Sequence, residues 1–377
     1  MVRDMIIKNG NVFGVDGTFS KRDVAFENGM FTVSSSEEIE IDATNLYVIP
    51  GLTDIHFHGC MGHDFCEGTS AVIQTIADYE ESVGVTTICP ATMTMSPEIL
   101  LQIAKAVKEF PNQTGAELVG INMEGPFIAM NKKGAQNPKY IHKPDAPLFD
   151  QIQSQSGNMV KLVDIAPETE GAMEFIEKEH GNTVISIAHT EADYQTATEA
   201  FQKGASHMTH LYNAMNPISH RTPGPIIAAA DTDFVEAEII CDNIHIHPAV
   251  VRNTFKMFGK ERMILISDTM EAVGMPDGEY QLGGQAVTKK GNRATLHDGT
   301  IAGSATNLMD CMKTVVKQMN IPLETAVYCA AVTPARSIGI YDRYGSIETG
   351  KSANFVLLDK ELNTVAVYNR GKKIEKV

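Results

Sequence analysis

The stretch LYVIPGLTDIHFHG, residues 46–59, combines an apolar strand, a Pro-Gly turn and two histidines separated by a single residue. Side chains at positions i and i+2 of an extended strand point to the same face. The rings of His56 and His58 can therefore converge on one point, as two ligands of a metal ion do. Two half-buried histidines could show this spacing by coincidence, so the metal interpretation depends on whether further ligands follow.

From about residue 51 to about residue 340, short apolar runs alternate with helical segments. Strands that alternate with helices over this length predict parallel β/α units. An open doubly wound sheet is the alternative, but no glycine-rich phosphate or dinucleotide motif follows any of the runs. With residues 46–55 the runs give eight strands, the number that closes a barrel; the other seven are VTTICPAT, AELVGINMEGPFI, VKLVDIAPE, NTVISIAHT, ASHMTHL, FVEAEIICDN and MILISDTM.

The two ends of the sequence have a different pattern and consist of short β-rich segments. Asn-Gly pairs at 9–10 and 28–29 lie between such segments, and turns are predicted at 359–361 and 369–371. We predict that residues 1–50 and 341–377 pair into one small β-sandwich. Residues 51–340 then form the catalytic domain, a (β/α)8 TIM-type barrel, and the fold class is α/β.

Composition excludes several classes of partner. The formal net charge of −16 argues against nucleic acid, which requires a basic surface. No apolar run approaches the ~20 residues that a membrane helix needs. The six cysteines are scattered without a CxxC pair, which favours reduced thiols. We therefore expect a cytoplasmic protein with neither nucleic-acid nor membrane partners.

Polar residues follow the predicted barrel strands at the point where each strand ends. Because these ends meet at one mouth of a barrel, the side chains are expected to share a cavity. A lone histidine or glutamate after a strand is more often a core or loop residue, but burying six polar groups without common partners is costly. The six are His56, His58, Glu124, His189, His210 and Asp268.

These residue types predict a metal-dependent hydrolase. Nitrogen and carboxylate ligands without thiolate suit zinc, and also iron, manganese or cobalt. A catalytic metal lowers the pKa of its water towards ~7. A carboxylate beside that water, here Asp268, can accept its proton and later deliver it to a leaving group. The set is typical of the hydrolysis of an amide or ester.

The same pattern resembles the amidohydrolase superfamily. Within it, nearly the whole chain is similar to the N-acetylglucosamine-6-phosphate deacetylases, through the segments MEGPFI, KKGAQNP, AHT, THLYNAMNP, HRTPG and IAGS. The resemblance implies an enzyme of amino-sugar catabolism that hydrolyses N-acetyl-D-glucosamine 6-phosphate to D-glucosamine 6-phosphate and acetate. It implies a metal-bound water as nucleophile, Asp268 as general base and then acid, and a homodimer.

The resemblance also implies a role for each matching residue. Glu124, His189 and His210 would bind the primary metal, and His56 and His58 a second one, so one or two divalent ions per subunit are expected. His245 would polarise the acetyl carbonyl. Backbone amides of Asn213 and Ala214, a turn suited to anions, and the side chain of Arg221 would hold the phosphate. The other implied substrate contacts are Ala135, Ile301, Ala302 and Gly303.

Asn243 departs from the family pattern, because it stands where a glycine is usual. Asparagine tolerates positive φ better than most residues, so we expect a local shift here rather than loss of the motif.

Three alternatives remain at this point. The first is a related amidohydrolase that acts on N-acetylgalactosamine 6-phosphate, on an unphosphorylated acetamido sugar or on a cyclic amide. The second is a non-catalytic barrel, which the presence of every ligand and of the general base disfavours. The third concerns Arg221, which could serve its own site or that of a neighbouring subunit.

Overall fold

The computed structural model describes residues 5–34 and 39–375. Two parallel sheets contain all the strand runs predicted between residues 51 and 270. A three-stranded sheet has the order Glu117–Leu118, Val85–Ile88, Leu52–Asp54. A seven-stranded sheet has the order Ala91–Thr92, Ile121–Met123, Val160–Ile165, Val184–Ile187, His207–Met208, Glu236–Ile240, Met263–Ile266.

Backbone hydrogen bonds join the first parallel strand to the last one beyond their carboxyl ends. The amide of Asp268 donates to the carbonyl of His56 at 3.0 Å, and the amide of His58 donates to the carbonyl of Thr269 at 2.7 Å. The parallel strands therefore curl until the HxH segment lies against the segment that follows Met263–Ile266.

Helices connect successive parallel strands and pack on them through one apolar face. In Pro97–Glu109, for example, Leu100, Ile103 and Val107 are buried at helical spacing, and proline occupies the first turn. The helices are Ser70–Ser82, Pro97–Glu109, Ala146–Ser156, Ala172–Glu179, Tyr194–Gln202, Gly224–Ala230, Pro248–Phe258, Leu308–Lys317, Leu323–Val327 and Thr333–Ser337, with a π-helical turn at Tyr328–Val332 and 3-10 turns at Phe65–Glu67, Met130–Lys132 and Pro138–Tyr140.

Two further sheets come from the ends of the chain. One has the order Met30–Thr32, Val24–Glu27, Met5–Lys8, Ile39–Asp42, and the other has the order Lys372–Ile374, Thr364–Asn369, Phe355–Leu358, Tyr47–Pro50, Asn11–Phe13, Phe19–Lys21. Phe26 and Phe31 of the first sheet share a hydrophobic core with Val48, Phe355 and Tyr368 of the second. Both ends of the chain thus contribute to one packed unit.

Of the two Asn-Gly pairs, one closes a hairpin in this unit and the other does not. Asn28 and Gly29 both have positive φ, 52° and 79°, and close the hairpin between Val24–Glu27 and Met30–Thr32. Asn9–Gly10 closes no hairpin, because Met5–Lys8 and Asn11–Phe13 lie in different sheets.

The run predicted as one barrel strand, residues 46–55, is divided at Gly51. Tyr47–Pro50 belongs to the six-stranded sheet, whereas Leu52–Asp54 is the first parallel strand. A Cβ atom on Gly51 would lie 2.1 Å from Oγ1 of Thr86. Only glycine therefore fits where the chain passes from one sheet to the other.

The structure contains an antiparallel sheet that the sequence did not predict. It lies in the chain between the last parallel strand and the helix Leu308–Lys317. Its strands are Gly278–Leu282, Gln285–Lys290 and Arg293–Leu296. Leu282, Val287 and Ala294 from this sheet pack with Met93 and Ala302. The insertion thereby adds a wall beside the carboxyl ends of the parallel strands.

Among the described residues, no helix is both long and apolar enough to cross a bilayer. All six cysteines are free, and five of them are buried.

Candidate metal centre and adjoining cavity

Two of the predicted metal ligands and the predicted general base occupy the left-handed region of backbone conformation. His189, His210 and Asp268 have φ values of 43°, 28° and 51°. Each stands two residues beyond the end of a parallel strand. This conformation is strained for residues other than glycine, and such strain concentrates at functional sites. The chain therefore bends sharply where each of these side chains is presented.

Glu124 lies at the centre of the cluster and is 2% exposed. Its Oε1 is 3.0 Å from Nε2 of both His189 and His210, and 3.7 Å from Nε2 of His56. Its Oε2 is 3.4 Å from Nε2 of His58. Two triads therefore share one carboxylate: Glu124 with His189 and His210, and Glu124 with His56 and His58.

The triads fit a divalent metal ion. In each, the ligand atoms lie within 4.8 Å of one another and all three residues are buried. The Nε2 atom of His56 has no hydrogen-bond partner in the part of the chain that the structure describes. Buried imidazole nitrogen without a partner is costly, and imidazole with carboxylate is a donor set that suits zinc, iron, manganese or cobalt.

The electrostatics of the centre favour positive charge. Burial opposes protonation of His58, but its hydrogen bond with Asp268 and the nearby charge of Glu124 raise its pKa to about 9. Burial alone would raise the pKa of Glu124, yet His189 and His210 hold it well below its usual value. The pKa of Asp268 is lowered in the same way, against burial, by His58. Both carboxylates are therefore charged and attract cations.

Gln136 is a site residue that the sequence-based prediction missed. It is almost fully buried; its Nε2 donates to Oε2 of Glu124 at 2.5 Å, and its Oε1 accepts from the amide of Thr94 at 2.7 Å. The side-chain amide thereby fixes the orientation of the central carboxylate. The only signal in the sequence was its position in KKGAQNP, beside the predicted contact Ala135.

A cavity of about 340 Å³ opens onto the centre, a size suited to a small organic ligand. Ala302 is fully buried between two lining residues, and His56 is buried behind the wall. The cavity is lined by eleven predicted residues, His58, Glu124, Ala135, His189, His210, Asn213, Ala214, His245, Asp268, Ile301 and Gly303.

His245 is held in the cavity wall by Asp242. Its Nδ1 lies 2.7 Å from Oδ2 of Asp242, whose Oδ1 also accepts the amides of Ile244 and His245. Burial opposes protonation of His245, but Asp242 raises its pKa. Against the effect of its own burial, the pKa of Asp242 is lowered by His245. Asn243 has φ of 67°, the conformation expected for this departure from the family pattern.

Of the two backbone amides predicted to bind phosphate, one already donates a hydrogen bond within the chain. Ala214 has φ of 52°, and its amide has no acceptor among the described residues. The amide of Asn213 already donates to the carbonyl of His210 at 3.1 Å. Lys132 also lines the cavity, and its Nζ donates to the carbonyl of Met215.

Arg221 is not brought to the cavity of its own chain. It is exposed, its Nη1 lies 2.7 Å from Nε2 of His220, and it lines a separate depression with Asn216 and Thr222. Within one chain, the structure therefore separates Arg221 from the other predicted substrate contacts.

Known proteins resemble this chain along nearly its whole length. Residues 47–377 match the Amidohydrolase family. The chain is 34% identical over 372 residues to the N-acetylglucosamine-6-phosphate deacetylase of Bacillus subtilis (strain 168), covering 97% of this chain and 93% of that protein. It is 30% identical over 349 residues to the N-acetylgalactosamine-6-phosphate deacetylase of Escherichia coli O157:H7, covering 90% and 92%.

A solved structure shares the fold as well. It is a mutant of the N-acetyl-D-glucosamine-6-phosphate deacetylase from Mycobacterium smegmatis in complex with N-acetyl-D-glucosamine-6-phosphate. The TM-score is 0.91 at 29% sequence identity, and the match covers 98% of this chain and 99% of that one.

Proposed function

The chain belongs to the amidohydrolase family, and on that basis we propose that it hydrolyses the acetamide of N-acetyl-D-glucosamine 6-phosphate, releasing D-glucosamine 6-phosphate and acetate. The observation that carries this proposal is the pair of triads around Glu124, which open onto a cavity of about 340 Å³ beside Asp268. A relative that is named for this activity matches the chain over nearly its full length. The enzyme would act in amino-sugar metabolism.

The domain organisation follows the same proposal. The parallel strands of residues 51–340 would form a closed (β/α)8 barrel, supported by the hydrogen bonds that join the HxH segment to Asp268 and Thr269. Residues 1–50 and 341–377 would form a β-sandwich, supported by the core shared between their two sheets.

Glu124, His189 and His210 would hold the primary divalent ion, and His56 and His58 would hold a second ion with Glu124. When bound, such an ion supplies a water of lowered pKa and a Lewis acid for the substrate carbonyl. The donor set favours zinc, with iron, manganese and cobalt as chemical alternatives.

Asp268 would act as the general base and then as the general acid. Its lowered pKa keeps it unprotonated at neutral pH, although it is only 8% exposed. It can therefore take a proton from the attacking water and return that proton to the sugar nitrogen as the C–N bond breaks.

His245 would stabilise the oxyanion that develops on the acetyl group. The carboxylate of Asp242 can only accept, so Nδ1 of His245 carries a proton. Protonated His245 then also has a proton on Nε2, which can be donated to the carbonyl oxygen of the substrate. The raised pKa of His245 favours this doubly protonated form.

The phosphate group would be bound across a homodimer. In its own chain the cavity offers the amide of Ala214 and the ammonium group of Lys132, whereas Arg221 is exposed and lies elsewhere. A second subunit that places its Arg221 beside the Asn213–Ala214 turn would complete the site with bidentate contacts. Ala135, Ile301, Ala302 and Gly303 would then enclose the sugar.

We also propose a cytoplasmic location. A reducing compartment agrees with six free cysteines, five of which are buried.

Acetate release from purified protein tests the proposed reaction, with the metal content determined on the same sample. N-acetylglucosamine 6-phosphate is compared with its unphosphorylated form and with N-acetylgalactosamine 6-phosphate, which represents the second candidate activity. Fast release that requires both the phosphate and the glucosamine epimer would support the proposal. Faster release from the galactosamine epimer would transfer the assignment to that substrate. No release from a metal-loaded sample would refute both assignments.

A further inference from the structure

Glu238 is a fully buried carboxylate in the strand Glu236–Ile240, and it belongs to neither triad. Its Oε2 lies 2.9 Å from Nδ1 of His56 and accepts the backbone amide of His210 at 3.1 Å. A single oxygen atom therefore contacts one residue from each half of the centre. His56 uses its ring for this contact, whereas His210 uses its main chain.

The contact with Glu238 fixes which nitrogen of His56 carries a proton. Oε2 of Glu238 already accepts the backbone amide of His210, and it accepts from the ring of His56 in the same way, so Nδ1 of His56 is the protonated nitrogen. The lone pair of the neutral ring is then on Nε2, the atom that lies 3.7 Å from Oε1 of Glu124 and has no partner among the described residues.

One neighbour of His56 would favour the opposite tautomer. Nδ2 of Asn122 lies 3.4 Å from Nδ1 of His56, but it donates to the carbonyl of Ile55 at 3.0 Å. Since Glu238 is closer to the ring at 2.9 Å, it decides the tautomer.

Glu238 also supports the strained turn that presents His210. That residue has φ of 28°, and its amide is held by the side chain of Glu238. The next amide, that of Leu211, donates to the backbone carbonyl of Glu238 at 2.9 Å. The turn is thus anchored by both the side chain and the main chain of one residue.

A role in folding alone does not explain a carboxylate at this position. Burying a carboxyl group without a full set of hydrogen-bond partners is costly, and an apolar side chain of similar volume would serve packing better. The second oxygen of Glu238 has no hydrogen-bond partner within residues 5–34 and 39–375, and lies 3.9 Å from Nε2 of His207. The favourable contacts of Glu238 are those to His56 and to the turn at His210.

We propose that Glu238 is the positioning residue of the metal centre, which holds His56 as an Nε2 ligand and ties it to the turn that presents His210. This inference rests on the metal centre of the proposed function. Carboxylates that bind the free nitrogen of a metal-ligating histidine orient the ring and increase its basicity, and their loss costs roughly 10–100-fold in metal affinity.

Three variants separate positioning from folding. Glu238→Met removes the acceptor but keeps an apolar side chain of similar length, and is expected to fold. Glu238→Gln keeps an oxygen that can accept from both His56 and His210, and its amide group can face Nε2 of His207. Glu236→Gln, two residues earlier on the same strand, is the matched control.

The first measurement uses metal-free protein with ¹⁵N-labelled histidine, in which the ring ¹⁵N shifts show the tautomer. The signal of His56 is assigned by its loss in His56→Gln. The Nδ1–H tautomer is expected in the wild type, in Glu238→Gln and in Glu236→Gln, but not in Glu238→Met. An Nε2–H tautomer in the wild type, or an unchanged tautomer in Glu238→Met, would overturn the proposal.

The second measurement is the number of zinc ions per chain and their affinities, determined at buffered free zinc. The wild type and both glutamate-to-glutamine variants are expected to bind two ions, and Glu238→Met to bind the weaker one roughly 10–100-fold less tightly. Equal affinities in Glu238→Met, or a wild type with a single ion, would refute the role of Glu238. A wild type without any metal would instead refute the proposed function, while the tautomer measurement would still decide the role of Glu238.

Discussion

Oδ1 of Asp268 lies 3.3 Å from Nε2 of His58, so the proposed general base contacts a ligand of the second triad. The two residues follow the last and the first parallel strands, which meet where the strands curl together. Their contact lowers the pKa of Asp268 against the effect of burial and, with Glu124, raises the pKa of His58 to about 9. The carboxylate of Asp268 is therefore stabilised in its charged form by the positive charge that the centre favours.

Asp268→Asn should lower turnover by at least ~10²-fold, because the amide cannot accept a proton from water. The metal content should remain unchanged, since neither triad includes Asp268. Acetate release and metal analysis on one sample measure both. Asp233→Asn, a change of an exposed residue, is the control. Near-normal turnover in Asp268→Asn would rule out its role as the base.

Arg221→Ala should raise KM for the phosphorylated sugar at least ~10-fold and change kcat less, because a charged hydrogen bond to phosphate would be lost. Mixed dimers then show which subunit supplies the arginine. When Asp268→Asn and Arg221→Ala chains are combined, a dimer that shares Arg221 across its interface contains one intact site. Activity with the wild-type KM should therefore return on mixing. If KM stays high, Arg221 acts within its own chain or not at all.

The activity should fall at alkaline pH as His245 loses its proton. Asp242 raises the pKa of His245, so the protonated form persists above its ordinary value and is lost when pH rises through the raised one. Asp242→Asn removes this effect and should move the alkaline limb of the kcat profile to lower pH. Thr254→Ser, a buried change on a neighbouring helix, is the control. An alkaline limb at the same pH in Asp242→Asn would contradict the assignment.

Glu80 should make the folded state less stable as pH rises. It is fully buried, and neither carboxylate oxygen has a hydrogen-bond partner in the described ranges. Burial, with the nearby Asp54, raises the pKa of Glu80 well above its usual value. A carboxyl group with a raised pKa in the folded state loses stabilisation as pH rises from its unfolded pKa through its folded one.

Glu80→Gln should therefore raise Tm at pH 8 by about 2–4 °C and have less effect at pH 5. Thermal unfolding at both values measures the difference. The matched control is Glu109→Gln on the exposed face of the next helix, which should leave Tm unchanged. An equal shift of Tm at both pH values in Glu80→Gln would show that ionisation of Glu80 is not involved.

The residues that end parallel strands could be predicted from the sequence because their signal is local. His189 follows an apolar run, and the topology of parallel strands then places it near Glu124 without any knowledge of side-chain contacts. The Pro-Gly turn also placed the boundary between the two domains at residues 50 and 51. The requirement for glycine there could not be predicted, since it depends on the approach of Thr86, a residue far away in the sequence.

Supporting residues were missed for the same reason. Glu238 occurs in a run that has the ordinary pattern of a buried strand. Its proposed role depends on the contact with His56, which follows a different strand. Gln136 acquires its role only when its loop folds over Glu124. The motif HRTPG predicted that Arg221 contacts the phosphate, but it could not show which subunit's cavity the side chain would reach.

The division of residues 46–55 also has a consequence for the order of assembly during translation. Tyr47–Pro50 leads directly into the strand before His56, and it pairs on one side with Phe355–Leu358. That partner is made after all the parallel strands. Until it leaves the ribosome, the segment that carries the first two ligands lacks one of its supporting neighbours. His56 and His58 are therefore translated first among the ligands, but the strand that leads into them gains its last neighbour only near the end of translation.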